Sequence, residues 1–81
     1  MSHVYILRSL AVPGQIYIGF STIEMATRLE RHNGGSTPAT ARYRPWALAW
    51  YCSFPGKERA LAFEAYLKSG SGRAFLHKRL L

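Results

Sequence analysis

Residues 4–21 read VYILRSLAVPGQIYIGFS, and one short theme occurs in them twice. Tyr5-Ile6 precedes a Pro13-Gly14 pair, and Tyr17-Ile18-Gly19 follows it. Proline presets φ and glycine accepts positive φ, as a type II turn requires. The stretch therefore predicts two short strands, His3 to Arg8 and Gln15 to Phe20, joined by a loop. Side chains alternate along a strand, so His3, Tyr5 and Leu7 share one face, as do Tyr17 and Gly19. The register we expect brings those two faces together, and the tyrosines with them. Tyrosine is also an ordinary half-buried strand residue, so packing alone would account for the pair.

Outward from this hairpin, Ser21 or Thr22 is expected to cap a helix from about Ile23 to Asn33, with Met25, Ala26 and Leu29 as its apolar stripe. Gly34-Gly35 ends it, and GGSTPATARYRP (34–45) reads as loop. WALAWYCSF (46–54) is the third strand; it has few polar interruptions, so it is expected to be buried on both faces. After the break at Pro55-Gly56, KERALAFEAYLKS forms a helix whose core band is Ala60, Phe63, Leu67 and position 64. A Gly-Ser-Gly break at 70–72 precedes a short basic helix ending at Leu81. The order ββαβαα gives one small α/β domain over 1–81, with a three-stranded, mostly antiparallel sheet flanked by helices.

A chain of 81 residues is near the lower limit for a self-sufficient core, but 48% hydrophobic and 14% aromatic content is enough to build one. The single Cys52 excludes an intrachain disulfide, and no cluster has zinc-ligand spacing. Cys52 reads as a small buried hydrophobe. Lys and Arg outnumber Asp and Glu by 11 to 4, giving a net charge of +7 and a pI near 10.2. That excess suits a polyanion, nucleic acid first. An anionic membrane is the rival, but there is no polybasic block; solubility alone is the third account. No apolar stretch is long enough to span a bilayer. Strand-like sequence from the first residues leaves no room for a signal peptide, so a cytoplasmic, nucleoid-associated location is expected.

Three features exceed what packing needs. The tyrosine pair is one. Arg28 and His32 are another: their spacing of four puts them on one helix face, with Glu24 a turn earlier. The plain account is a solvated face with a weak Glu24–Arg28 pair. The functional account uses a guanidinium to hold phosphate and an imidazole to move a proton near neutral pH. The third is Glu64, a carboxylate in the core-facing band, which needs a cation or a solvated cleft beside it. Only four acidic residues exist and none is Asp. That argues against a two-metal site and permits one Mg²⁺ held by one carboxylate, waters and substrate phosphate.

Together, Val4-Tyr5, Tyr17-Ile18-Gly19, Arg28, His32 and Glu64 resemble the GIY-YIG nuclease domain over essentially the whole chain. RPW (44–46) and YLKSGSGRAFL (66–76) look like the small stand-alone bacterial members, relatives of the nuclease domain in the excinuclease C subunit and in structure-specific endonucleases. The resemblance implies that Glu64 holds a single Mg²⁺ or Mn²⁺ and that Arg28 offsets charge on the scissile phosphate. Tyr5 would act on the attacking water directly or through a relay, Tyr17 would orient water or phosphate, and His32 is the other candidate base. The implied reaction is phosphodiester hydrolysis leaving 5′-phosphate and 3′-hydroxyl ends. The implied substrate is DNA in preference to RNA, at branched, nicked or damaged structures, as in DNA repair.

Two departures stand out. His3 replaces the Gly of the first motif, and Ala41, beside Arg42, lies near the place of a loop Lys in relatives. With no substrate-selecting domain in evidence, selection is assigned to Arg42, Arg44, Lys57, Lys68, Arg73 and Lys78, or to a partner protein. The alternative is a non-catalytic nucleic-acid-binding module using Tyr43, Trp46 and Trp50 for stacking. A third reading is a dimer or subunit that docks through its third strand or last helix.

Overall fold

In the computed structural model, which describes residues 1–81, β1 (Ser2–Ser9) runs between β2 (Ile16–Ser21) and β3 (Trp46–Phe54) in a fully antiparallel sheet of order β2-β1-β3. The run Val4-Tyr5-Ile6-Leu7 explains that central place: every member is at most 1% exposed. Val4 and Ile6 point with Ile18 into one cluster, closed by Ala60, Leu67 and Leu76. Tyr5 and Leu7 point the other way, into a cluster with Met25 and Trp46. One face is thus covered by α3 (Lys57–Lys68), α4 (Gly70–Phe75) and a terminal π-helical turn (Leu76–Leu80), the other by α1 (Met25–Asn33) and the short α2 (Pro38–Ala41).

The hairpin register is the one expected: Tyr5 faces Gly19 and Leu7 faces Tyr17, so the two tyrosines lie on one face. Gly14 takes φ +85°, which suits its place in the connecting turn.

β3 departs from expectation. It is an edge strand, and only its first residue, Trp46, is buried. An unbroken apolar run marks burial on both faces only when neighbours flank both sides, and here β1 holds that position. A bulge pairs Ile6 with Trp50 but Leu7 with Leu48, leaving Ala49 extra. The extra residue sends Ala49 and Trp50 to the α3 side while Leu48 joins Leu7 and Trp46 under α1.

Three boundaries also move. α1 begins at Met25, with Glu24 at the cap position, because Ser21 spends its hydroxyl on a local turn, accepting from the Ile23 amide at 3.0 Å and donating to its carbonyl at 3.2 Å. The stretch 34–45 contains α2 rather than loop alone. The break near the C-terminus falls at Ser69, whose Oγ accepts the Gly72 amide at 3.1 Å and caps α4. Gly70-Ser71-Gly72 is therefore the first turn of a helix. Gly72 is needed there because any Cβ would collide with the Tyr66 carbonyl as α4 folds back on α3.

Candidate active site

The Tyr5 hydroxyl is the meeting point. It lies 2.8 Å from His32 Nε2 and accepts from Arg28 Nε–H at 3.0 Å. Arg28 and His32 reach one oxygen because they sit one turn apart on the α1 face that covers β1. The other imidazole nitrogen, Nδ1, lies 2.8 Å from the Thr40 hydroxyl of α2. That hydroxyl donates to the Thr37 carbonyl at 3.2 Å, and the Thr40 carbonyl accepts the Trp46 indole N–H at 2.8 Å. Asn33 ties the end of α1 to β3, its amide donating to the Trp46 carbonyl at 3.1 Å while Oδ1 accepts the Trp46 amide at 2.6 Å.

The solvated-face account of α1 therefore fails for these residues. His32 and Thr40 are fully buried, and no buried side-chain polar atom lacks a partner. Arg28 donates to Tyr5 instead of pairing with Glu24; the structure has one ion pair, Lys68–Glu64.

Burial sets the charge state of the pair. It pushes the Tyr5 phenol above its ordinary range; the Arg28 hydrogen bond and charge oppose this, and Tyr17 and Glu64 add to it. Burial pushes the His32 imidazole down, and the Arg28 charge pushes the same way. Both groups are thus neutral near pH 7.

Tyr17 stands beside the pair, its ring centroid 5.1 Å from that of His32 and 6.3 Å from that of Tyr5. Gly19 makes the crowding possible: a Cβ there would lie 2.5 Å from the Tyr5 oxygen and 2.9 Å from Tyr17 Cε2. The glycine of the second motif is thus a packing requirement of the Tyr5 ring.

Glu64 comes from α3, its side chain 18% exposed and paired with Lys68 Nζ at 3.4 Å. The partner expected for a carboxylate in that band is this lysine. No three His, Cys, Asp or Glu side chains come together to cage an ion. One half-buried carboxylate fits a hard, hydrated cation such as Mg²⁺ or Mn²⁺, which keeps its waters and takes substrate oxygens, better than a closed zinc site.

The six basic candidates separate. Lys68 and Arg73 come together with Tyr17, Ile16 and Ile18 around a shallow pocket of about 160 Å³ at the β2 edge. Arg42 stacks over the Tyr43 ring at 5.2 Å, and the Arg44 guanidinium packs on Gly35. Lys57 lies at the far end of the 12-residue α3, about 16 Å along the axis from Lys68. Lys78 is exposed on the terminal turn. No contact brings these last four to the Tyr5 cluster. Arg31, which sequence reasoning passed over, lines a cleft of about 260 Å³ with Arg28, Ser21 and Thr22. Its signal was its place one turn from Arg28. Thr40 was also passed over, and nothing local marks it.

A phenol, an imidazole and a guanidinium thus converge on one point of a strongly basic domain; the match to a catalytic-domain family places the chain among nucleases. The chain belongs to the GIY-YIG family: the profile of the GIY-YIG catalytic domain matches residues 1–78. Among its relatives, a UPF0213 protein of Streptococcus pyogenes serotype M3 is 34% identical over 74 residues, covering 90% of this chain and 77% of that protein. The structure-specific endonuclease subunit slx1 of Talaromyces stipitatus is 46% identical over 66 residues, covering 74% of this chain. The subunit of that name in Debaryomyces hansenii is 40% identical over 72 residues, covering 80% of this chain. The chain spans only 17% and 20% of the length of these two fungal proteins.

Proposed function

We propose that this domain is a divalent-metal-dependent endonuclease that hydrolyses DNA at branched, nicked or damaged structures and leaves 5′-phosphate and 3′-hydroxyl ends. The observation that carries the reading is the Tyr5 hydroxyl shared between His32 and Arg28. The names of the fungal relatives support a structure-specific substrate and assembly with a further subunit, to which we assign substrate selection. Chromosomal DNA in the cytoplasm is the setting we assign.

Arg28 uses Nε on Tyr5, which leaves its terminal nitrogens to face a phosphate in the cleft it lines with Arg31. Charge building on the scissile phosphate is offset there, where partial burial strengthens the interaction. Tyr5 is too weak an acid to act as a standing phenolate. It takes the proton of the attacking water as its own proton passes to His32, so no charge is left on the phenol. Neutral His32 is the terminal acceptor. Tyr17 orients the water or phosphate. A cation on Glu64 would polarise the phosphate and stabilise the leaving 3′ oxygen. Lys68 and Arg73 hold flanking backbone, without reading bases.

The test is cleavage of labelled duplex, single-stranded, flap, fork and four-way-junction DNA with Mg²⁺ or Mn²⁺, beside Glu64→Ala. Cutting that disappears in the variant and on chelation, while DNA binding persists, is the expected result. Chelation-resistant cutting, or full activity of Glu64→Ala, would remove the metal assignment. Tight salt-sensitive binding with no cutting of any substrate would replace the enzyme by a binding module.

A further inference from the structure

We infer that Thr40 is a positioning residue: its hydroxyl holds His32 as the Nδ1–H tautomer and so leaves Nε2 bare toward Tyr5. The inference deepens the proton relay proposed above and rests on it.

The argument is one of donors and acceptors. A neutral imidazole carries one N–H and one bare nitrogen. The Thr40 hydrogen is used on the Thr37 carbonyl at 3.2 Å, so at 2.8 Å its oxygen is left to accept from His32 Nδ1. Nδ1 therefore holds the proton and Nε2 accepts. At the other end, the Tyr5 oxygen already receives the Arg28 Nε–H, and its own hydrogen is directed to Nε2 at 2.8 Å. Every donor then meets an acceptor, from Arg28 through Tyr5, His32 and Thr40 to the Thr37 carbonyl.

The opposite tautomer breaks this order. Nε2–H and Arg28 would both donate to the Tyr5 oxygen, leaving the phenolic hydrogen without an acceptor in a site where Tyr5 is 1% exposed. The Thr37 carbonyl would lose the Thr40 hydrogen but keep the Thr40 and Ala41 backbone amides at 3.1 and 3.0 Å, so the cost falls on the phenol. No other acceptor in the fold takes the phenolic hydrogen, and its neighbours His32 and Thr40 are fully buried. Thr40 is itself fixed by the Trp46 indole on its carbonyl.

The side chains facing His32 are Arg28 on its own helix, Tyr5 on β1, Tyr17 on β2 and Thr40 on α2. Arg28 is the only charge among them, so a hydroxyl, not a carboxylate, orients this imidazole. During turnover the water gives a proton to Tyr5, Tyr5 gives its own to Nε2, and the imidazolium keeps its Nδ1–H on Thr40.

The deciding measurement is the pair of ¹⁵N shifts of His32 in the wild-type chain at pH 8, from long-range ¹H–¹⁵N correlation. Protonated Nδ1 with bare Nε2 is expected, against the preference of free imidazole side chains; Nε2–H would overturn the inference whatever any variant does. Thr40→Val keeps the shape and removes the acceptor, whereas Thr40→Ser keeps the hydroxyl. We expect Val to lose the single tautomer and to slow single-turnover cleavage by about 10–100-fold, and Ser to retain both. A folded Val variant with wild-type shifts and rate would also overturn it. If Val does not fold, the wild-type spectrum still decides. A wild-type chain that cuts no DNA would strike the nuclease reading alone, because the tautomer is read without turnover.

Discussion

Gly19→Ala tests the idea that the second motif glycine exists to seat the Tyr5 ring. The added Cβ would lie 2.5 Å from the Tyr5 oxygen, whereas ordinary carbon contacts need about 3.5–4.0 Å. The ring must therefore move by about 1 Å. Tyr5 has no slack for this: it is 1% exposed and its hydroxyl is held at 2.8 and 3.0 Å by His32 and Arg28. A shift of that size carries both bonds past about 3.5 Å, where they no longer count as hydrogen bonds. Overpacking costs about 1–3 kcal/mol. Leaving buried His32 without its partner costs about 1–3 kcal/mol more. Replacing a strand glycine by alanine returns about 0.5–1 kcal/mol. The net loss is about 1–5 kcal/mol, or at least about 4–8 °C in Tm for a domain of this size. Misplacing a reacting group by about 1 Å also lowers the cleavage rate by roughly 10²-fold. Thermal unfolding by circular dichroism and single-turnover cleavage of the preferred substrate measure the two effects. A Tm within about 2 °C of wild type and an undiminished rate would refute the packing argument.

Tyr5→Phe keeps the ring and removes only the hydroxyl. It should destabilise by about 1–2 kcal/mol and slow cleavage by about 10²–10⁴-fold, with DNA affinity by fluorescence anisotropy unchanged; a wild-type rate would remove Tyr5 from the relay. Stability should fall as pH drops below the ordinary histidine value of 6.5, because the unfolded chain binds a proton that buried His32 refuses until lower pH. At high pH it should fall again above 10.0, where the unfolded Tyr5 ionises before the folded one. Urea unfolding should show lower stability at pH 5.5 than at pH 7.0; equal stabilities would contradict a buried neutral His32. The double variant Lys68→Ala with Arg73→Ala should weaken DNA binding and make the salt slope shallower by about 2, while Lys57→Ala leaves the slope alone. Salt titrations of affinity check both, and an unchanged slope in the double variant would place the backbone contacts elsewhere.

The period of a strand made much of the site legible. Alternation along β1 and β2 put each tyrosine on a definite face, and the register, which the loop does not fix, brings those faces together. The i, i+4 spacing placed Arg28 and His32 together, and the apolar band of α3 marked Glu64 as a carboxylate needing a cation, an arginine or a solvated cleft beside it. What stayed hidden depended on packing between distant segments. On a helical wheel His32 reads as solvated, because α2, which buries it, lies in a stretch of turn-like residues. Thr40 meets His32 only through that docking, so no local pattern reveals it. The apolar run of β3 read as buried on both faces because hydropathy reports apolar surface without saying which strand has neighbours on both sides. The glycines at 70 and 72 looked like a helix break because close helix approach and chain flexibility select the same residue.

The sheet order explains why the two halves of the site behave differently. In the proposed relay Tyr5 passes its proton to a neutral imidazole, and β1, covered on both faces, keeps the pair buried. Binding a polyanion and a hydrated cation needs charge at a wet surface. β2 is an edge strand, so one strand spacing away, about 4.8 Å, Tyr17 already borders the pocket lined by Lys68 and Arg73. Lys68 lines it from α3, half in solvent, and carries Glu64 as its ion-pair partner. The change from dry to wet thus takes place across a single strand, which is how so short a chain holds both environments. It follows that the buried half cannot be altered without touching the core: in the proposed relay Tyr5 and His32 serve proton transfer and packing at once. The wet half carries little of the fold, so its residues are the ones through which substrate preference can change while the domain stays folded.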